Sequence, residues 1–89
     1  MRLAAIASLE DQAEAADQRA RSAKDPGAAA SHRSVARQLR GAADKQLNDV
    51  ERMATQMQST EPADAASLLD YVRSARAYLR QRRAASGAP

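Results

Sequence analysis

The chain has 89 residues, of which 44% are hydrophobic, and it carries a net charge of +3 at pH 7. Alanine accounts for 23 residues, Leu, Ile and Val together for only 11, and Phe, Trp and Cys are absent. These numbers exclude disulfides and thiolate chemistry, and they leave too few branched and aromatic residues for a β-sheet protein. We therefore predict an all-α fold in a single helical domain, residues 1–89.

Two turn signals divide the chain into three helices. Asp25-Pro26-Gly27 and Ser59-Thr60-Glu61-Pro62 each combine a capping side chain with a proline, which starts a helix better than it continues one. Helices are predicted over about residues 3–24, 28–58 and 62–84, with a frayed tail at 85–89. Ser8-Leu9-Glu10-Asp11 resembles a capping box, so a start at Ser8 is an alternative for the first helix.

The first helix is rich in alanine and acidic near its start. Glu10, Glu14 and Asp17 fall on one helical face. Three carboxylates could hold a hard cation, but an acidic helix N-terminus is favourable in itself, and a solvated face is the preferred interpretation. Asp17 and Arg21 are spaced for an ion pair within this helix.

The second helix has the clearest apolar stripe, with a mean spacing that fits a straight helix better than a long supercoil. The stripe comprises Val35, Leu39, Ala43, Leu47, Val50, Ala54 and Met57. Gly41 inside it indicates a kink or the close approach of another backbone. Residues 34–47 also resemble a helix-turn-helix with Gly41 at the turn, but one uninterrupted helix explains the pattern more simply. His32 is interpreted as a surface residue.

The third helix carries the candidate interaction surface. Tyr71 and Tyr78, the only aromatic residues, lie seven apart beside a leucine stripe, and tyrosine and arginine are enriched in interface hot spots. The predicted partner interface comprises Leu68, Tyr71, Val72, Ala75, Tyr78 and Leu79. The alternative is that these residues form the core of the protein itself.

An arginine stripe lies beside this surface and suggests contacts to anions or to an acidic partner. It consists of Arg73, Arg76, Arg80 and Arg83, spaced by three and four residues. Binding of nucleic-acid phosphates is one interpretation. The preferred one is that these cations complement the helix dipole and reflect a GC-rich, bacterial genome, in which Arg outnumbers Lys by 12 to 2.

These helices predict a small up-down-up bundle of three, or a helical hairpin with an alanine-rich N-terminal helix. Burial contributes only about 25 cal/mol per Å² of apolar area, so an alanine core is marginal and is expected to be completed by oligomerisation or by a partner protein. No nucleophile with its base and no glycine-rich phosphate loop is present. We expect a non-enzymatic interaction module without a cofactor, metal or small-molecule substrate; a small basic nucleic-acid-binding protein is the alternative.

The order of the helices resembles that of the small helical co-chaperones of type III secretion needle subunits. The similarity lies in the long middle helix, the proline-containing turn before Ala63–Leu69 and the final Leu/Ala helix. It covers the last two helices and implies a co-chaperone function.

The N-terminal sequence bears on location. The longest apolar run, Leu3–Ala7, is far shorter than the roughly 20 residues of a membrane span. Glu10 and Asp11 interrupt what could otherwise begin a signal peptide. We therefore expect a cytoplasmic protein that is not embedded in a membrane.

Overall fold

The computed structural model describes residues 3–87, which form three α-helices. Helix α1 spans Ala4–Ser22, α2 spans Pro26–Met57 and α3 spans Pro62–Ala85. Residues 3–87 contain no strand, so the all-α class is confirmed. None of their three helices has a stretch long and apolar enough to cross a bilayer. Residues 88–89 of the predicted frayed tail lie outside the described part of the chain.

The chain divides into two compact units. The N-terminal unit contains residues 4–44, which are α1 and the first part of α2. The C-terminal unit contains residues 45–87, which are the rest of α2 and α3, together with Leu3. The up-down-up arrangement and its completion by oligomerisation stay predictions.

Each later helix starts at its proline. The Oδ2 atom of Asp25 accepts a 3.0 Å hydrogen bond from the backbone N–H of Ala28, so Asp25 caps α2 at the start that Pro26 sets. Before α3 the backbone itself makes the turn, because the N–H of Glu61 donates a 2.7 Å hydrogen bond to the carbonyl of Met57. The Glu61 side chain makes no capping bond.

Alanine provides most of the buried core: nine of the fourteen buried hydrophobic residues are alanine. The N-terminal unit contributes Ile6, Ala13, Ala16, Ala20, Ala29, Ala36 and Ala43, and the C-terminal unit contributes Leu47, Val50, Ala54, Ala65, Val72, Ala75 and Leu79. Many of them recur every seven residues, which returns a side chain to the same face after two helical turns. Small side chains on that face allow neighbouring helices to approach closely.

The buried face of α2 differs from the predicted stripe near its start. Ala36 is buried, whereas Val35 is 45% exposed, so the prediction that Val35 belongs to the buried stripe is wrong. Ala36 clusters with Ala13 and Ala16, and Leu39 packs against them from the edge. A hydrophobicity pattern favours the larger side chain, but close packing against α1 favours the smaller one.

Gly41 lies inside α2, which continues through it without a break. An uninterrupted helix here is confirmed, and the helix-turn-helix interpretation is wrong. A Cβ built on Gly41 would have no atom of another segment within 4 Å, so the close approach of a second backbone predicted there is wrong as well.

Candidate functional site

The six residues of the predicted partner interface on α3 differ in exposure. Val72, Ala75 and Leu79 are buried in the core of the C-terminal unit, at 2% exposure or less. Leu68, Tyr71 and Tyr78 are half-buried and keep accessible surface. We call these last three residues the tyrosine flank.

Tyr78 is held in place by a neighbour on its own helix. The Nη1 atom of Arg82 donates a 2.8 Å hydrogen bond to the Tyr78 hydroxyl. The guanidinium carbon of Arg82 also lies 5.7 Å from the centroid of the Tyr78 ring, within the range of a cation–π contact. Together these contacts restrict the ring before any partner arrives, and such preorganisation lowers the entropic cost of binding.

The four predicted arginines have different surroundings. Arg76 joins α3 to α2 within the C-terminal unit: its Nη1 and Nη2 atoms lie 3.0 and 3.1 Å from the two carboxylate oxygens of Glu51. Its Nη2 atom also donates a 2.8 Å hydrogen bond to Oδ1 of Asn48. This is the bidentate geometry in which arginine binds carboxylates best. The hydrogen bonds and the charge of Arg76 lower the pKa of Glu51 below its ordinary value of 4.5, against a small opposing effect of burial.

The other three arginines differ in their exposure and in their ion pairs. Arg73 forms an exposed ion pair with Asp70 on its own helix, at 3.0 Å. Arg80 is exposed and takes part in none of the ion pairs within residues 3–87. Arg83 is half-buried. The stripe is therefore less cationic than its sequence suggests, because acidic neighbours balance Arg73 and Arg76.

A groove of about 220 Å³ lies along this side of the C-terminal unit. We call it the basic groove; it is lined by Leu69, Val72, Arg73, Arg76, Arg80 and Glu51. Apolar side chains meet three guanidinium groups there, an arrangement that suits a ligand carrying both carboxylates and an apolar group.

The N-terminal unit contains a buried ion network. The Nε atom of Arg40 lies 3.0 Å from Oε2 of Glu10, and its Nη1 atom lies 2.8 Å from Oδ2 of Asp17. The side chain of Glu10 is fully buried and that of Arg40 is 12% exposed. We call these residues the Arg40 triad. The prediction of a solvated acidic face is therefore wrong for Glu10, and Asp17, predicted to pair with Arg21, contacts Arg40.

The Arg40 triad stabilises a charge in an otherwise apolar setting. Burial lowers the pKa of Arg40, but hydrogen bonds with Asp17 and Glu10 and their charges outweigh burial and raise the pKa above its ordinary value, so the guanidinium stays cationic. The Arg40 guanidinium contacts two acids that are seven residues apart on α1. These two contacts fix how far α2 is shifted along α1. Rows of similar alanines specify this register only weakly. The sequence signal for the register is that Glu10 and Asp17 are seven residues apart, the same spacing as the buried residues Ile6 and Ala13.

No known family matches this chain, and no curated protein or solved structure matches it either. The resemblance of the last two helices to needle-subunit co-chaperones stays a prediction.

Proposed function

We propose that this protein is a non-enzymatic helical interaction module of the cytoplasm, an adaptor, co-chaperone or assembly element that binds a partner protein or a second copy of itself. The distribution of its larger apolar side chains carries this proposal. Five of the fifteen described are buried, eight are half-buried, and Val35 and Met53 are exposed. The ten that are not buried are Leu3, Leu9, Val35, Leu39, Met53, Met57, Leu68, Leu69, Tyr71 and Tyr78.

The leucine, methionine, valine and tyrosine side chains that are half-buried or exposed give association a driving force. Burying a large apolar side chain completely contributes about 1.5–3 kcal/mol relative to leaving it exposed. The fold of one chain leaves part of this gain unrealised, because eight of the ten side chains are only half-buried and two are exposed. A bound protein surface would bury the remaining area.

The tyrosine flank is the proposed centre of this interface. Tyr71 and Tyr78 supply large rigid side chains of the type that dominates binding energy, and Leu68 adds an apolar contact beside them. Val72, Ala75 and Leu79 are buried and anchor α3 in the core, while the three side chains of the tyrosine flank keep accessible surface.

Nucleic-acid binding through Arg73, Arg76, Arg80 and Arg83 is the second candidate function. The basic groove favours it, because three of these side chains line one concave surface. It ranks second because Glu51 contributes a negative charge within that groove and Asp70 pairs with Arg73. A phosphate backbone would have to displace or tolerate both carboxylates.

Sedimentation equilibrium of the full chain at low and high salt tests the proposal. We expect concentration-dependent association that tolerates salt and is weakened roughly tenfold or more in the Tyr71→Ser variant. The Arg73→Glu/Arg80→Glu variant should associate as the wild type does, and circular dichroism should show equal helicity for all three proteins.

Other outcomes are equally informative. A monomer whose affinity for an oligonucleotide falls steeply with salt would contradict the proposal and favour the second candidate. A monomer without such affinity would leave a different protein as the partner. That partner should be captured by the wild type and not by Tyr71→Ser.

A further inference from the structure

We propose that the basic groove binds an acidic amphipathic helix of a partner protein. Two carboxylates of that helix, seven residues apart, contact Arg73 and Arg80, and an apolar side chain one turn before the first carboxylate contacts Leu69. This inference rests on the proposed function, since it names the chemistry of the partner. It places a second contact on the opposite side of α3 from the tyrosine flank.

The groove already holds one carboxylate. Glu51 lines it and accepts hydrogen bonds from both Nη atoms of the Arg76 guanidinium, at 3.0 and 3.1 Å. Arg73 and Arg80 lie about one turn to either side of Arg76 on the same helix. The central position is therefore occupied within the chain, and a ligand has the two outer arginines to engage.

Both outer arginines are available. Arg80 is exposed and forms no ion pair within residues 3–87. Within residues 3–87, Arg73 forms an ion pair with Asp70 alone, and the side chains of this i,i+3 pair are 78% and 73% exposed. Exposed pairs of this kind contribute little to stability, so a partner carboxylate can replace Asp70 at little cost.

The spacing of the outer arginines specifies the partner. Seven residues of α-helix rise about 10.5 Å, so acids at positions i and i+7 of a second, roughly aligned helix have the same separation. The same spacing of acids occurs within the chain. Glu10 and Asp17 lie seven residues apart on α1, and both contact Arg40. The basic groove presents the complementary arrangement, with the cations spaced by seven.

The lining of the groove favours a peptide over a nucleic acid. Among residues 3–87, none that lines the groove is aromatic, so the lining offers no platform on which bases could stack. Glu51 also repels a continuous row of phosphates, whereas separate carboxylates on a helix can avoid it. Leu69 adds an apolar contact that a phosphate backbone does not use.

Binding of designed peptides to the full chain tests the inference. The probe is a helical alanine-rich peptide with glutamates seven residues apart and a leucine one turn before the first; its matched control carries glutamine in place of both glutamates. By isothermal titration calorimetry at low salt, we expect the glutamate peptide to bind roughly tenfold more tightly than the glutamine peptide.

Variants locate the binding. Arg73→Glu/Arg80→Glu should lose roughly tenfold or more in affinity for the glutamate peptide and should gain affinity for a lysine version of it. Arg33→Glu/Arg37→Glu, with the same charge change at exposed positions of the N-terminal unit, should bind within about twofold of the wild type. Equal helicity by circular dichroism confirms that the variants are folded.

Two results would overturn the inference: a glutamate peptide that binds Arg73→Glu/Arg80→Glu as tightly as the wild type, or a single-stranded oligonucleotide that binds the wild type more tightly than the peptide does. The proposed function fails separately, when Tyr71→Ser changes neither self-association nor partner capture. Salt-tolerant association without peptide binding would leave the proposed function intact and remove only the acidic helix.

Discussion

The two units reach a packed core by different means. In the N-terminal unit, six of the seven buried hydrophobic residues are alanine, and Glu10 is buried among them against Arg40. In the C-terminal unit, four of the seven are leucine or valine. Its ion pair between the helices, Arg76 with Glu51, stays at the surface with side chains 38% and 46% exposed. The N-terminal unit, whose buried side chains are smaller, thus depends on a buried ion pair to fix how its helices pack.

This difference has a thermodynamic consequence. Alanine buries less apolar area than leucine or valine, so the N-terminal unit gains less from the hydrophobic effect. Burying Glu10 and Arg40 also costs desolvation energy that only good ion-pair geometry offsets. We therefore expect the N-terminal unit to be the less stable one, with faster amide hydrogen exchange in α1 than in α3.

Arg40→Met should lower the stability of the N-terminal unit more than any other substitution proposed for it. The substitution leaves the carboxylate of Glu10 buried without its guanidinium, which typically costs about 3–5 kcal/mol. Urea denaturation followed by circular dichroism measures the loss, and amide exchange should locate it in residues 4–44.

The control for this prediction replaces both charges. In Glu10→Leu/Arg40→Met a buried ion pair becomes an apolar contact of similar volume, and most of the lost stability should return. A cost below about 1 kcal/mol for Arg40→Met alone would show that the Arg40 triad is not what holds α1 against α2.

Ala36→Leu tests the close packing of the alanine face. Ala36 is 1% exposed and clusters with Ala13 and Ala16, so a larger side chain must push α1 and α2 apart. Overpacking of this kind costs about 1–3 kcal/mol. Ala42→Leu, at an exposed position of the same helix, should change the free energy of unfolding by less than about 0.5 kcal/mol. Equal values for the two variants would contradict the packing described here.

Local sequence signals predicted the helices, because each depends on neighbours along the chain. Pro26 with its Asp25 cap and Pro62 mark the starts of α2 and α3. The placement of Ala43, Leu47, Val50 and Ala54 on the buried face of α2 follows from their period.

Contacts between helices were less accessible to sequence reasoning. Arg76 and Glu51 are 25 residues apart and Arg40 and Glu10 are 30 apart, so no local spacing connects them. Polarity also assigned Glu10 to solvent, although its helical position matches that of buried residues. Arg40 reconciles the polarity of Glu10 with its buried position. The long apolar stem of an arginine can pack in a core while its guanidinium binds a carboxylate there.

Gly41→Ala should stabilise the N-terminal unit and so reduce the difference in stability between the two units. Gly41 lies inside the helical part of the N-terminal unit, and a methyl group there meets no other segment. Alanine is favoured over glycine in a helix interior by about 1 kcal/mol, which corresponds to an increase in melting temperature of roughly 4–8 °C in a protein of this size. Gly87→Ala is the control: its φ of +74° disfavours a side chain, so no gain is expected.

The ion pair of the C-terminal unit should produce the smallest effect, visible only in the pH dependence. Arg76 lowers the pKa of Glu51, so the pair stabilises the folded chain above pH 4.5, the ordinary pKa of a glutamate, and this contribution is lost as the pH falls through the lower folded value. Urea midpoints for the wild type and Glu51→Gln should therefore differ at neutral pH and converge below pH 4.5.

Glu61→Gln is the matched control for that titration, because it removes an equal charge from a side chain that makes no capping bond. Its stability should run parallel to that of the wild type over the same pH range. A constant difference between Glu51→Gln and the wild type would mean that Glu51 acts through packing rather than charge. The charge of the ion pair would then contribute nothing to the stability of the C-terminal unit, as is common for pairs near a protein surface.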